Sequence, residues 1–327
     1  MTRRTFALLL ALAALPATAS ADGGRTAVAV DPKEPKRVVV WQEGRGLFGS
    51  RDGGETWERL AASPRLVVRI VVGRGQVHVA SSEGLLRSED DGRTFVRAGG
   101  PPGESPNIDL AAAGDALFSV TENGVFRSTD GARTFRSAGV SGRAFHAYRL
   151  RTNPRQPAQV LLVSPTLVHR SDDGGESWKR VPAPPDLDFG SLSFGVGEPP
   201  VSLVAGRSGI SRSTDGGATW KGVPDAPPFL RGLWVPDPAS EKYLLVTMQP
   251  QPGDEKQTMK ILEKALLRTL DGGKSWSGNL SPDGGGVTEV GFAPGRIETI
   301  YAATDLGGVF RSANMGESWR AVTPPAK

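Results

Sequence analysis

A short pattern, Ser/Thr-x-Asp-x-Gly-x-Ser/Thr-aromatic, returns seven times along the 327 residues, and it limits the possible folds more than any other feature. The copies are SRDGGETW from Ser50, SEDDGRTF from Ser88, STDGARTF from Ser128, SDDGGESW from Ser171, STDGGATW from Ser213, TLDGGKSW from Thr269 and SANMGESW from Ser312. Their starts are 38, 40, 43, 42, 56 and 43 residues apart. A period near forty residues means one supersecondary unit copied in series. A catalytic carboxylate is needed once, whereas a structural corner is needed in every unit. Asp52, Asp90, Asp130, Asp173, Asp215, Asp271 and the aligned Asn314 therefore read as corners.

Each unit reads as four short strands. In the first, TAVAV (Thr26–Val30) stops at Asp31-Pro32, then KRVVVWQ (Lys36–Gln42), GLFGS (Gly46–Ser50) and, after the corner, TWERL (Thr56–Leu60) follow. Short β-branched runs with turn residues at regular spacing give an antiparallel meander. The corner Asp is expected to accept backbone N–H bonds from the residues after it, and the following Gly to supply φ > 0. The closing Trp or Phe should fill the wedge between units. Arg87, Arg127, Arg170, Arg212, Arg268 and Arg311, one before each of six corners, read as solvated charges on the outer face. Ala132 in the third copy and Asn314-Met315 in the seventh read as loosened corners.

The boundaries fall at 24–63, 64–100, 101–140, 141–183, 184–225, 226–281 and 282–323. Both ends complete their own unit, so closure is expected by packing of the last unit on the first, without strand exchange. The long step before Thr269 marks an insertion, Gln249–Lys264, between the second and third strands of the sixth unit.

Residues 1–21 read as a signal peptide, with Arg3 and Arg4, an apolar run from Phe6 to Leu15, and Ala19-Ser20-Ala21 as a cleavage site. Thr2–Phe6, TRRTF, also resembles a twin-arginine signal, so both export routes stay open. The apolar run is too short to span a bilayer. An exported protein, periplasmic or extracellular, with no membrane segment after signal removal is expected, residues 22–327 forming one domain and a monomer. Without Arg3 and Arg4, 39 − 2 = 37 basic residues face 35 acidic ones, which argues against a nucleic-acid partner. The absence of Cys excludes disulfides, thiolate metal sites and a Cys nucleophile. His78, His146 and His169 lack ligand spacing, and Gly44–Gly49 (GRGLFG) sits in a hairpin with no helix after it, so no metal and no cofactor is expected.

The corner sequences resemble the Asp-box, or bacterial neuraminidase repeat. That resemblance implies an all-β, seven-bladed β-propeller of four-stranded antiparallel blades. Sialidases, xyloglucanase-type glycoside hydrolases, the luminal domain of sortilin receptors and the photosystem II assembly-factor family share the repeat. The chain is similar in plan to the assembly-factor branch and to secreted repeat proteins of this type. Sialidases carry an Arg-Ile-Pro motif that is missing here, and the only Tyr are Tyr148, Tyr243 and Tyr301. No catalytic residue is assigned.

A ligand is expected on the face opposite the corners. Glu43, Arg45, Glu83, Glu122, Asn123, Arg207 and Asp305 belong to its hairpins, Arg143, His146 and Arg231 to its connections, and Arg149 and Glu289 to the innermost strands. Arg143, Arg207 and Arg231 would form a basic arc facing an acidic polymer, a glycan or an acidic patch on a protein. Two functions remain open, an exported non-enzymatic binding or assembly scaffold and a secreted glycoside hydrolase. The second needs a carboxylate pair and aromatic rings for sugars, for which only Trp41 and Trp234 are left once five Trp occupy corners.

Overall fold

The computed structural model describes residues 25–140, 149–153, 155–163, 167–183, 187–194, 202–206, 209–215, 219–226, 230–234, 244–248, 266–271, 274–278, 283, 285–296 and 298–325. The signal segment, the insertion, Arg143, His146, Arg207, Tyr148 and Tyr243 lie outside the described residues.

The strands follow the repeat. The first sheet holds β1 (Thr26–Val30), β2 (Val38–Gln42), β3 (Gly46–Ser50) and β4 (Glu58–Arg59), and the second β5 (Val67–Gly73), β6 (Gln76–Ser81), β7 (Gly84–Ser88) and β8 (Val96–Arg97). One helical turn, α1 (Pro101–Glu104), leads to β9 (Asn107–Ala113), β10 (Ala116–Thr121), β11 (Gly124–Ser128) and β12 (Arg136–Ser137). The next two sheets are β13 (Arg149–Thr152), β14 (Val160–Val163), β15 (Val168–Ser171), β16 (Lys179–Val181), and β17 (Leu187–Phe194), β18 (Ser202–Gly206), β19 (Gly209–Ser213), β20 (Lys221–Gly222). After β21 (Leu230–Trp234), β22 (Leu244–Met248) and β23 (Leu267–Thr269) come β24 (Val287–Phe292), β25 (Ile300–Thr304), β26 (Val309–Ser312) and β27 (Arg320–Ala321). Every strand pairing among the described residues is antiparallel between consecutive strands, as in β1–β2 and β2–β3.

The fold is a propeller of four-stranded antiparallel blades. Innermost strands of successive sheets lie side by side, β1 by β5, β5 by β9 and on around to β24 by β1. The expectation of seven four-stranded blades is corrected to six among the described residues. The sheet β21–β23 has three strands, and its outer position shrinks to one bridge between Arg268 and Ser277. The reason is local: Gly278 follows at φ +125°, which an extended strand does not adopt, so pairing stops after one residue.

Burial explains why the inner strands are apolar without alternation. β2 is buried at every position because a neighbouring blade covers each face of its sheet. The core is thus a ring of wedges rather than one mass. In the first, Ala29, Val39, Trp41 and Leu47 pack on Ile70, Val72, Val77 and Val79. At the seam where the ring closes, Val28, Val30, Val38 and Val40 pack on Tyr301, Ala303, Val309 and Val322. No strand crosses that seam among the described residues.

The corners close by a common scheme. Ser50 Oγ donates to Asp52 Oδ1 (2.8 Å) and accepts from Gly54 N (2.8 Å), while Asp52 accepts from Thr56 N (3.0 Å) and Thr56 Oγ1 (2.5 Å). The same bonds recur at Asp90, Asp130 and Asp173, and Asn314 accepts from Ser318 N at 2.9 Å in the seventh. The Thr94 hydroxyl and N–H hold the Asp90 carboxyl at about 2, and Thr219 does the same for Asp215. Three corner tryptophans also grip the preceding blade: Trp57 Nε1 donates to Val322 O at 2.8 Å, Trp178 Nε1 to Ala138 O at 2.8 Å and Trp220 Nε1 to Pro182 O at 3.1 Å. The arginines before the corners differ from the expectation of solvated charges. Arg127 reaches Glu176 of the next corner at 2.7 Å, and Arg311 reaches Glu55 across the seam at 3.6 Å. Arg87 and Arg170 instead pair with acids of their own corners, Glu89 and Asp172.

Candidate functional site

In a meander the β1–β2 and β3–β4 turns lie at one end of the blade. The β2–β3 hairpins and the blade-to-blade connections lie at the other. Five innermost strands break register near that second end, and three of them do so just before a charged residue. Val67 pairs with Ser81 but Arg69 with Ala80; Asn107 pairs with Thr121 but Asp109 with Val120; Val287 pairs with Thr304 but Glu289 with Ala303. In each case one residue is skipped, and such a bulge re-aims the next side chain. The residue so turned is charged in all three.

These side chains meet in the bore of the ring. Arg69 Nη1 contacts Glu289 Oε1 at 2.6 Å and Arg69 Nε contacts Asp109 Oδ1 at 3.3 Å. Arg151, from the fourth blade, contacts Asp109 Oδ2 at 3.0 Å. Backbone donors complete the set: Leu110 N and Leu150 N donate to Asp109 at 2.9 Å each, and Val28 N donates to Glu289 Oε2 at 3.1 Å. Arg149 Nη1 donates to Ile108 O at 3.1 Å. The network therefore links five consecutive blades across the seam, from β24 past β1 to β13.

Its electrostatics follow from burial and neighbours. Burial alone would raise the Asp109 carboxyl, but Arg69, Arg151 and Arg149 outweigh it and hold it at about 2. Burial pushes Glu289 up despite Arg69 and Val28 N. Burial, with repulsion from Arg69 and Arg149, brings Arg151 down to about 10 against the pull of Asp109.

The expected face residues fall into groups. Glu43, Glu83 and Asp305 are exposed, yet each carboxylate accepts a backbone N–H just before its own inner strand: Arg25 N at 3.0 Å, Arg65 N at 3.2 Å and Gly286 N at 2.8 Å. Arg45 donates to Gln42 Oε1 at 2.6 Å and to the Pro324 and Pro325 carbonyls, with Phe48 beneath its guanidinium. Glu122 and Asn123 are exposed at the hairpin tip between β10 and β11. Arg231 lies in β21 at the register break between Leu230 and Gly232. Glu289 is in the bore network and Arg149 beside it. Arg69, Asp109 and Arg151 were not among the residues the sequence pointed to.

Several expected resources for sugar chemistry are elsewhere. Trp41 is 2% exposed and donates Nε1 to Pro64 O at 3.0 Å, so it belongs to the core. Trp234 packs against Leu266, Val287 and Ile300. Tyr301 is fully buried at the seam, and burial pushes its phenol up to about 12. Among the described residues no group of three or more His, Asp and Glu is placed to hold a metal. No helix of the described residues is long and apolar enough to cross a membrane.

No family model matches the chain, and no curated protein does either. Solved structures do. The xyloglucanase of family GH74 from Xanthomonas campestris is similar at TM-score 0.64 and 17% identity, over 92% of this chain and 55% of that one. The chain thus spans about half the length of the xyloglucanases it matches. YCF48 bound to D1 peptide is similar at TM-score 0.64 and 15% identity, over 90% of this chain and 94% of that one. The extracellular domain of BT4673 from B. thetaiotaomicron is similar at TM-score 0.62 and 11% identity, over 90% and 39%. At these identities the likeness establishes the β-propeller fold and nothing of the chemistry.

Proposed function

We propose that this chain is an exported, non-enzymatic Asp-box propeller that binds a protein or an acidic polymer on the face opposite its corners. In this reading it has seven repeat units, one with a reduced outer strand. One observation carries the proposal: Glu43, Glu83, Asp305, Asp109 and Glu289 are engaged by the fold itself, whereas the guanidinium groups of Arg69, Arg149 and Arg151 converge there. Asp109 is fully buried between two backbone donors and two arginines, and so is placed to orient cations rather than to attack a substrate. The burial of Trp41 further weakens a sugar cleft. A propeller of matching size with a bound peptide, YCF48, supports a peptide or protein partner. Arg143, Arg207 and Arg231 are proposed as a basic arc on this face.

The test is association of immobilised poly-glutamate, and separately of a sulfated glycan, with wild type and with the Arg143→Glu/Arg207→Glu/Arg231→Glu triple variant. The proposal expects salt-sensitive binding that the triple variant loses while melting stays nearly unchanged. Equal binding by both proteins defeats the arc. One observation favours the hydrolase alternative: Asp109 and Glu289 are driven to opposite protonation behaviour beside one arginine. Turnover of a glycan panel that Glu289→Gln abolishes would replace the scaffold reading.

A further inference from the structure

We infer that a cavity between the first two blades, on the face opposite the corners, receives the guanidinium group of an arginine on a peptide partner. This rests on the binding reading above and deepens it, since it selects a chain that carries arginine over a purely acidic polymer. The cavity measures about 220 Å³. Its lining is Ser63 and Pro64 from the connection, Ser81 and Glu83 from the β6–β7 hairpin, Leu86 of β7 and Arg97 of β8. Small-molecule sites usually offer ~300–1,000 Å³, so this one is sized for a single side chain.

The occupant is read from the seam next door, where the fold fills the corresponding place with its own arginine. Arg45 stands directly before β3, as Glu83 stands directly before β7. Phe48 pairs with Val40 and Arg59, as Leu86 pairs with Val79 and Arg97. The Arg45 guanidinium lies 5.4 Å from the Phe48 ring centre and donates to Gln42 Oε1 at 2.6 Å, to Pro324 O at 3.1 Å and to Pro325 O. An apolar floor from the third strand, the end of the second strand and the tail of the preceding blade thus form a guanidinium cradle. The second blade repeats that frame with Leu86, Ser81 and the Ser63-Pro64 wall, and it lacks the filler because its hairpin is shorter. Gln42 closes on Gly46 around Glu43, Gly44 and Arg45, whereas Ser81 closes on Gly84 around Ser82 and Glu83. The shorter loop keeps the acid that accepts an N–H ahead of the inner strand, Glu83 on Arg65 N as Glu43 on Arg25 N, and leaves no position for the arginine. Glu83 spends Oε2 on that bond, and among the described residues Oε1 accepts nothing. A carboxylate oxygen beside an apolar floor suits a charge-assisted bond from a planar guanidinium. Arg97 is held as a wall, its Nη1 donating to the Glu83 and Gly103 carbonyls at 2.7 and 2.8 Å. Its counterpart Arg59 likewise pairs with Phe48, and Arg45 is seated there all the same.

Two resonances of labelled protein report occupancy, because Trp41 Nε1 donates to Pro64 O and Arg65 N donates to Glu83. N-acetyl-arginine methylamide, its neutral citrulline twin, succinate and a decapeptide with one central arginine would each be titrated while the Trp41 indole and Arg65 amide signals are followed. The expected result is a saturable shift of both signals by the arginine probe, with the citrulline twin and the Glu83→Gln variant each about tenfold weaker. The decapeptide should bind at least as tightly as the probe. Replacing Ser82-Glu83 by the Glu-Gly-Arg of the first hairpin supplies both the acid and the arginine, so it should abolish binding while melting stays at or above that of wild type. No shift by the arginine probe at tens of millimolar, equal binding of citrulline or succinate, or undiminished binding by the grafted hairpin overturns the site. Probe binding without decapeptide binding overturns its assignment to a peptide. Absent guanidinium binding with poly-glutamate capture intact overturns this inference alone, and guanidinium binding without capture overturns only the arc.

Discussion

Replacing Ala98 by Leu tests whether the corners and the outer strands are matched blade by blade. Where the second blade meets the first, Ala61 N donates to Gly92 O at 3.1 Å, and where the third meets the second, Gly99 N donates to Ala132 O at 3.2 Å. Ala98 therefore stands where Leu60 stands, and Ala132 where Gly92 stands. A Cβ built at Gly92 would lie 2.8, 3.1 and 3.2 Å from Leu60 Cδ1, Cδ2 and Cγ, so a leucine and a corner methyl exclude each other. The third blade carries the methyl, on a backbone at φ +65°, and the second carries the small partner; both belong to one buried cluster. Ala98→Leu alone forces three carbon atoms against Ala132 and is expected to cost about 1–3 kcal/mol by overpacking. Ala132→Gly alone loses a buried methyl worth ~1 kcal/mol but relieves a left-handed Ala of similar cost, so it should be nearly neutral. Together the two changes recreate the arrangement of Leu60 and Gly92. The double variant should regain most of the Ala98→Leu loss, a favourable coupling of about 1–3 kcal/mol. Urea unfolding of the four proteins, read by tryptophan fluorescence, measures it. Additivity within ~0.5 kcal/mol would refute the reasoning.

Asp109→Asn leaves two arginines facing an uncharged partner in the bore and should cost about 3 kcal/mol in urea unfolding; a loss under ~1 kcal/mol would mean the pairs contribute little. Because folding lowers the Asp109 carboxyl from 3.8 to about 2, its stabilisation is present above the unfolded value and is lost as pH falls through that window, about 2 kcal/mol in all. The urea midpoint of wild type should therefore fall between pH 4 and pH 2, where the depressed corner carboxyls act with the same sign, and Asp109→Asn should show a shallower fall. Asp215→Ala removes the acceptor for the Thr219 N–H and hydroxyl and should lower Tm by about 2–4 °C without changing capture of poly-glutamate; lost capture at unchanged Tm would give that Asp a role in binding. Trp41→Ala empties the wedge between the first two blades and frees the Pro64 carbonyl, with an expected cost of about 3–5 kcal/mol by calorimetry or urea.

The frame was legible because it is repeated. Seven corner sequences locate seven third strands, and the turn residues before them bound the units to within a few positions. The missing outer strand beside Thr269 was not legible, because Gly278 has a counterpart, Gly222, that does sit in an outer strand. Choosing between the two requires the backbone angle. The bore residues were missed for a different reason. LVVRIVVG and NIDLAAA read as apolar strands with a stray charge, and only the skipped residue before Arg69 and Asp109 turns that charge inward. A signal existed: a strand buried on both faces has no cheap place for Arg or Asp, so such a residue must face a bore or a partner. Glu43, Glu83 and Asp305 were misleading because hairpin acids are usually solvated. Their bonds to the N–H groups before the first strand join residues about twenty positions apart, which no local pattern announces.

The seam without strand exchange has a consequence for how such a chain changes over generations. The last blade and the first are held together by apolar wedges, the Glu289 contact to Val28 N and the Glu55 clasp, all of them made by side chains. Among the described residues no segment is threaded through another. Gene duplication or deletion of one forty-residue module would therefore leave two compatible flanks, and moving the cut to another junction would leave the same ring with its ends elsewhere. The architecture is a chain of interchangeable links with a clasp, open to lengthening, shortening and rotation of its starting point.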